Sequence, residues 1–302
     1  MMHWLYALKL LRAFPHLARI SPSPWGLLWR VLRRQTTHLL RVKGEHLLER
    51  QITPPNLYGF LRLQEAGIPL AAAQPPAKDQ LLWELAPGRT FLTRLTVGMD
   101  LMTLYEVFGR KDYGSDFAGQ VVVDVGAYNG DSAVFFALAG ARRVIALEPY
   151  PPNFELATEN LRRMGLEDRV SILPVALGVQ RGKAQLRVAT HEPDANTLSP
   201  AGSPLQKLIA FTQTVEVEVW SFDDLLTQVG QKEVDFLKLD CEGCEFALIE
   251  ALPVEALRRV KVWHIEYHAA PQPLVRKLEA AGFSVERQLD RRFLGYLVAR
   301  RR

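Results

Sequence analysis

Three hundred and two residues, 48% of them hydrophobic, suffice for one large domain or a catalytic domain with an extension, which excludes a disordered chain. The net charge is only +4, but residues 1–50 carry nine Lys and Arg against two Glu, so +7 falls there and −3 on the remaining 252 residues. Attraction to phosphate or anionic lipid therefore belongs to the leader and not to the main fold. Two cysteines, Cys241 and Cys244, cannot build a disulfide framework, and two ligands cannot close a structural zinc site. No apolar run reaches the roughly 20 residues of a membrane span, and the charges of residues 1–20 fall within and after the apolar stretch, unlike a secretory signal. The chain reads as cytoplasmic.

In residues 1–50, Leu5, Leu8 and Leu11, then Leu27, Leu28, Val31, Leu32, Leu39 and Leu40, recur at helical spacing around a Ser-Pro-Ser-Pro break at 21–24. Two amphipathic helices are expected, either a cap packed on the body or, with Trp4, Trp25 and Trp29 among the arginines, a peripheral membrane contact. Residues 51–90 are rich in proline and read as short helices and loops instead of a sheet, so 1–90 is expected to be a helical, basic extension to a domain over 91–302. From Gln120 onward short β-branched runs alternate with helical segments. Strands are placed at 121–125, 143–147, 170–175, 234–239, 260–266, 283–288 and 293–299, with an extra pair near 184–189 and 214–220. The last two core strands are separated only by a short polar stretch around Asp290, Arg291 and Arg292, so they form an antiparallel hairpin. A seven-stranded parallel α/β sheet ending in such a hairpin resembles the Rossmann-like sheet of the class I S-adenosylmethionine-dependent methyltransferases.

Residues 121–132, Val-Val-Val-Asp-Val-Gly-Ala-Tyr-Asn-Gly-Asp-Ser, read as a buried strand, a glycine turn and a helix starting near Asp131. The spacing Asp-x-Gly-x-x-x-Gly differs from the Gly-x-Gly-x-x-Gly that makes room for a pyrophosphate. The next strand ends in Glu148, where a carboxylate can accept both hydrogen bonds of a ribose diol, and Asp124 suits a cofactor bearing an ammonium and a sulfonium. Strand, turn, helix and acid in this order set aside an ordinary turn with exposed strand-end charges.

A second apolar strand ends in Asp240-Cys-Glu242-Gly-Cys-Glu245, three carboxylates that need a cation, a hydrogen-bonding partner or raised pKa values to coexist. One strand later, alternation sends His264, Glu266 and His268 to one face. Cys241 and Cys244 read as small, part-buried side chains, since a redox Cys-x-x-Cys belongs to another βαβ context.

These segments resemble the FkbM family of S-adenosylmethionine-dependent methyltransferases. The resemblance runs over residues 96–298 and rests on Val-Asp-Val-Gly-Ala-Tyr-Asn-Gly-Asp, Ala-Leu-Glu-Pro with Asn153 and Asn160, Leu-Lys-Leu-Asp-Cys-Glu-Gly-Cys-Glu and Ile-Glu-Tyr-His. It also takes in Asp100, Glu106 and Tyr113, the Pro-Val-Ala-Leu-Gly stretch at 174–178 and Ser221-Phe-Asp-Asp-Leu-Leu. It implies S-adenosyl-L-methionine as cofactor, held by Asp124, Gly126, Ala127, Tyr128, Asn129, Gly130, Glu148, Pro149 and Ala176, and methylation of a hydroxyl on a sugar, glycan or secondary metabolite. The family pattern departs at Cys241 and Cys244, and the first 90 residues lie outside it.

Methyl transfer to an alcohol needs an in-line approach and a base. Asp240 is the first candidate base and His268 the second, with Glu266 orienting either and Glu242 completing the acidic site. If a metal takes part, Asp240 and Glu242 would hold Mg²⁺ to lower the hydroxyl pKa. The alternatives are a nucleic-acid methyltransferase, which would suit the basic leader, and a cofactor-binding module without catalysis. The first is disfavoured by the acidic body and by the lack of an Asn/Asp-Pro-Pro-aromatic or Pro-Cys motif, the second by the presence of acids on both sides of the site.

Overall fold

The computed structural model describes residues 2–33, 35, 37–41, 47–198, 209–291 and 294–302. The chain divides into two compact units, 1–114 with 162–165, and 115–161 with 166–302.

In the first unit, α1 (Met2–Arg12) and α2 (Pro24–Leu32) realise the two expected helices, α2 starting where Ser23 Oγ accepts from the Gly26 N–H. The region after them is not wholly helical. β1 (Thr37–Arg41) and β2 (Leu47–Gln51) form an antiparallel pair, so Leu39 and Leu40 lie on a strand. After α3 (Pro54–Glu65), β3 (Gln80–Ala86) and β4 (Arg89–Arg94) form a hairpin where loops were expected. The prolines argued against a sheet there, yet Pro87 and Gly88 make its turn, with Gly88 at φ 70°, and Leu82 pairs with Leu92 and Trp83 with Phe91 along the two strands. Pairing carries the unit past residue 90: buried Asn56 donates to the Leu95 and Gly98 carbonyls at 3.1 and 3.3 Å, and its carbonyl accepts the Leu101 N–H at 2.9 Å. Asp100, at the start of α4 (Asp100–Leu104), accepts from the Arg94 backbone and guanidinium.

The second unit holds the expected sheet. Its elements in chain order are β5 (Val121–Val125), α5 (Asp131–Leu138), β6 (Arg143–Leu147), α6 (Pro151–Met164), β7 (Val170–Leu173), β8 (Val175–Leu177), β9 (Gly182–Val188), β10 (Gln213–Trp220), α7 (Phe222–Val229), β11 (Val234–Leu239), α8 (Cys244–Ala251), α9 (Val254–Leu257), β12 (Val260–Tyr267), α10 (Gln272–Ala280), β13 (Phe283–Arg291) and β14 (Leu294–Arg301). The main sheet has the order β13-β14-β12-β11-β5-β6-β7, parallel except at β14, which pairs antiparallel with both β12 and β13. The turn between the last two strands lies outside the described residues. The strand expected at 170–175 is two: Pro174 cannot donate to the ladder, and after it the chain joins a separate sheet of order β8-β10-β9.

β5 is buried along its whole length, as a central parallel strand covered on both faces must be. Its Val121, Val123 and Val125 join Leu237, Leu239, Trp263 and Ile265 in one core, and polar residues, among them Asn129, Glu148, Asp240 and His268, follow the carboxyl ends of β5, β6, β11 and β12. Among the described residues no helix is long and apolar enough to cross a membrane.

Trp263 is fully buried, stacked on Phe222 with centroids 5.9 Å apart, and donates its indole N–H to the Leu257 carbonyl at 3.1 Å. Trp263→Ala should cost about 3–5 kcal/mol in urea unfolding, with the unfolding slope unchanged. A loss under about 1 kcal/mol would mean that this core is loosely packed.

Candidate active site

The cofactor loop starts where β5 ends. Asp124 has no exposed surface: Ser132 Oγ donates to its Oδ2 at 2.6 Å, and the Lys238 ammonium lies 3.1 Å from Oδ1. Its charge is thus satisfied within the protein. Ser132 and Lys238 thereby fix the orientation of Asp124 at the start of the loop. Lys238 is its register partner on β11 and also donates to the Gly126 carbonyl at 2.8 Å, with Asp240 Oδ2 at 3.5 Å. Burial alone would lower its pKa, but Asp124 and Asp240 outweigh burial and keep it protonated.

Gly126 has φ 80°, and a Cβ there would sit 1.8 Å from the Asp240 carbonyl oxygen, so the two loops touch through backbone. Gly130, at φ 86°, caps α5 close against Ala157. Ala127 donates to the Leu147 carbonyl, and Asn129 is buried, its carbonyl accepting from Asn160 and its side-chain oxygen from the Asp131 N–H. Tyr128 takes φ 49°, and Glu242 in the facing loop takes φ 54°. Left-handed backbone in non-glycine residues is costly, and two of the three described cases fall on these two loops.

Glu148, 5% exposed, is the hub of the second strand end. Its two oxygens accept the Tyr128 and Tyr150 N–H groups, each at 2.9 Å. Burial raises its pKa to about 7, against the lowering pull of those two N–H groups, Asn153 and Lys238. A carboxylate has about four acceptor positions, and with the two N–H groups and the Asn153 side chain bonded one remains for a ribose hydroxyl. Pro149 is half-buried beside it, and Ala176 packs with Tyr150, Val217 and Val219 in the smaller sheet.

The acid cluster sits after β11. Cys241 and Cys244 are bonded to each other, their Cα atoms 5.5 Å apart, which corrects the reading of two unlinked side chains. The turn through Glu242 and Gly243, both at positive φ, brings them together. Glu245 is fully buried and accepts from the Gly243 N–H at 2.8 Å and from the His268 N–H at 3.2 Å, with His268 Nδ1 also at 3.2 Å. On the other side of the ring, His268 Nε2 lies 3.3 Å from Glu242 and 4.0 Å from Glu266. Burial would lower the imidazole's pKa, but Glu242 and Glu245 raise it well above its ordinary value. Carboxylates at both ring nitrogens favour the imidazolium of His268, the second candidate base. Glu242 is pushed up by burial and by Asp240 and Glu245, against the pull of His268. His264 shares the face and is also buried, its ring 6.0 and 5.2 Å from those of Phe236 and Tyr296.

Asp240, Glu266 and His268 bring one ligand atom each within 4.8 Å of one another, a different set from the Asp240 and Glu242 expected for Mg²⁺. The set does not fit that ion, which takes oxygen ligands in near-octahedral order, because one of the three donors is an imidazole nitrogen. For S-adenosylmethionine the fit is good: an acid with an acceptor position left and a glycine turn stand at adjacent strand ends, the usual ligand side of such sheets. Glu245 was visible in the sequence but not singled out, because spacing does not reveal which of three neighbouring acids points inward.

Sheet order and site define a class I methyltransferase architecture. The family model for the FkbM methyltransferase domain matches residues 124–285, more than half of the chain, and the chain belongs to the FkbM family of S-adenosylmethionine-dependent methyltransferases. It is 26% identical to the 2-O-methyltransferase NoeI of Sinorhizobium fredii over 156 residues, 49% of this chain and 63% of that protein. It is 33% identical to a ribosomal protein L11 methyltransferase of Carboxydothermus hydrogenoformans over 96 residues, 32% of this chain and 30% of that one. The chain thus spans less than two thirds of the length of these curated relatives. The crystal structure of an FkbM methyltransferase from Methylobacillus flagellatus aligns with a TM-score of 0.42 at 16% identity, over 60% of this chain and 43% of that one.

Two pH effects follow from these charges. The ionised form of Glu148 is the stronger acceptor for a ribose hydroxyl, so S-adenosylhomocysteine affinity, measured calorimetrically, should fall by up to about tenfold per pH unit below about pH 7. Glu148→Gln should bind weakly with no such dependence, and a flat wild-type profile would assign the diol to another group. Imidazole ¹⁵N NMR should find both His268 nitrogens protonated at about pH 7.5. The raised pKa stabilises the fold fully below about pH 6.5, and that contribution should fade as pH rises through the folded-state value.

Proposed function

We propose that this chain transfers the methyl group of S-adenosylmethionine to a hydroxyl oxygen of a sugar, glycan or secondary metabolite. The observation that carries the reading is the position of Asp240. Its main-chain oxygen abuts Gly126 of the cofactor loop, its N–H donates to the Val125 carbonyl at 3.1 Å, and its carboxylate keeps 24% of its side-chain surface exposed. Glu242 and Glu245 are committed to His268, and Asp124 to Lys238 and Ser132.

When bound, the cofactor supplies a methyl group activated by a positive sulfonium. The protein must then align the acceptor oxygen and remove its proton. Asp240 would accept that proton as the O–C bond forms and the methyl–sulfur bond breaks, with S-adenosylhomocysteine as the leaving group, and the Lys238 ammonium keeps the Asp240 carboxylate turned to the loop. Glu148 and the Gly126–Gly130 turn hold the adenosyl end, and the His268 imidazolium fixes the acids around Glu245 so that they do not repel one another apart. A hydroxyl acceptor is supported by the relative named as a 2-O-methyltransferase. A cytoplasmic location belongs to the same reading and rests on the small cysteine count. The Cys241–Cys244 bond pulls against it, since disulfides persist mainly in oxidising compartments.

Asp240→Asn should leave S-adenosylhomocysteine affinity within about threefold of wild type and lower kcat by at least about 100-fold, measured on a panel of hydroxylated sugars with amine-bearing analogues as controls. Methylation of the amines alone would overturn the hydroxyl reading. Equal loss of binding and turnover in Asp240→Asn would make Asp240 a cofactor-binding residue instead of the base.

A further inference from the structure

The first unit carries a second apolar surface that the methyltransferase reading does not use. On α2 the stripe Leu27, Leu28 and Val31 is buried, as the core-facing side of an amphipathic helix should be. The opposite stripe, Trp25, Trp29 and Leu32 at i, i+4 and i+7, is apolar too, and exposed: Trp25 is 69% and Trp29 56% accessible. α1 repeats the arrangement, with Tyr6, Ala7 and Leu10 buried and Leu8 and Leu11 outward. Among the described residues, five of the seven large hydrophobic side chains left exposed lie on these two helices. Soluble surfaces do not cluster such residues without use.

The charge around them has one sign. Residues 1–44 contain eight Lys and Arg and no Asp or Glu. Arg12, Arg19, Arg30 and Arg33 are exposed on α1, α2 and the turn between them, and the Arg33 guanidinium lies 4.4 Å from the centre of the Trp29 ring. Outward tryptophans flanked by arginines match an interface that is apolar at depth and negative at its surface. An indole sits at the headgroup level, its ring among acyl carbons and its N–H toward water. A protein partner would need an acidic rim around a greasy centre, whereas an anionic bilayer offers both properties everywhere on its surface.

We propose that α1 and α2 form a docking surface for an anionic lipid bilayer, on which they lie without crossing. Attachment combines burial of Trp25, Trp29, Leu8, Leu11 and Leu32 at the acyl boundary with attraction of the arginines to lipid phosphate. The site after β5 and β11 takes no part in it.

The test uses the full chain and co-sedimentation with vesicles of phosphatidylcholine alone or mixed with phosphatidylglycerol. Binding should be at least about tenfold stronger to the mixed vesicles, weaken with added salt, and shift tryptophan emission to the blue. Trp29→Ser, and Trp25→Ser with Trp29→Ser, should lower partition at least about tenfold with unchanged melting temperature and S-adenosylhomocysteine affinity. The single variant guards against disturbance of the Phe14–Trp25 contact, centroids 4.1 Å apart. Failure to bind mixed vesicles, or binding that the tryptophan changes leave intact, would overturn the proposal. So would concentration-dependent self-association in sedimentation velocity that these variants abolish, because the surface would then meet a second copy of this chain. None of these results bears on methyl transfer, which the cofactor titration reads separately.

Discussion

One buried ammonium organises the second unit. Lys238 has three donors, and three groups surround it: the Asp124 carboxylate, the Gly126 carbonyl and the Asp240 carboxylate. Together they join the end of β5, the loop that follows it and the loop after β11. A buried charge is expensive unless paired, and a buried pair is rarely stabilising against a hydrophobic substitute. What the pairing secures is register: Lys238 and Asp124 are partners across adjacent strands, and a slip by one residue would leave two opposite charges buried apart. The position of Asp240 beside the cofactor loop depends on that register.

The same logic, with the charges reversed, governs the cluster after β11 and β12. Glu242, Glu245, Glu266 and Asp240 crowd around a single imidazole. Glu245, fully buried, fixes both the backbone and the ring of His268, and the ring's proton is what lets the acids coexist. In the function proposed here His268 positions the acids, and proton transfer falls to Asp240, whose carboxylate keeps exposed surface. Glu148 shows the opposite case, an acid whose burial outweighs its hydrogen bonds and leaves it poised near neutrality.

Legibility in the sequence followed the range of the physical signal. The central strands are runs such as Val-Val-Val-Asp-Val and Phe-Leu-Lys-Leu, bounded by glycine and acids, and their placement is local information. The hairpin of β3 and β4 was hidden because proline counts against a strand, whereas Pro87 belongs to the turn and the flanking residues to the ladder. The split of β7 from β8 was hidden for a related reason: Val170 to Val175 is one apolar run, and only the missing donor of Pro174 marks where one sheet ends and another begins.

By itself the sequence determined the α/β class, the closing antiparallel pair, the glycine turn, the acid at the end of β6 and the uneven charge of the leader. Each is set by residues close together in the chain, through periodicity, turn chemistry or composition. Only the tertiary structure decided which charges meet. Asp124 and Lys238 lie 114 positions apart, and Glu245 and His268 lie 23 apart. Whether a carboxylate faces a cofactor or an ammonium, and whether a histidine is a base or a caged cation, depends on partners delivered by strand register and burial, which local pattern does not encode.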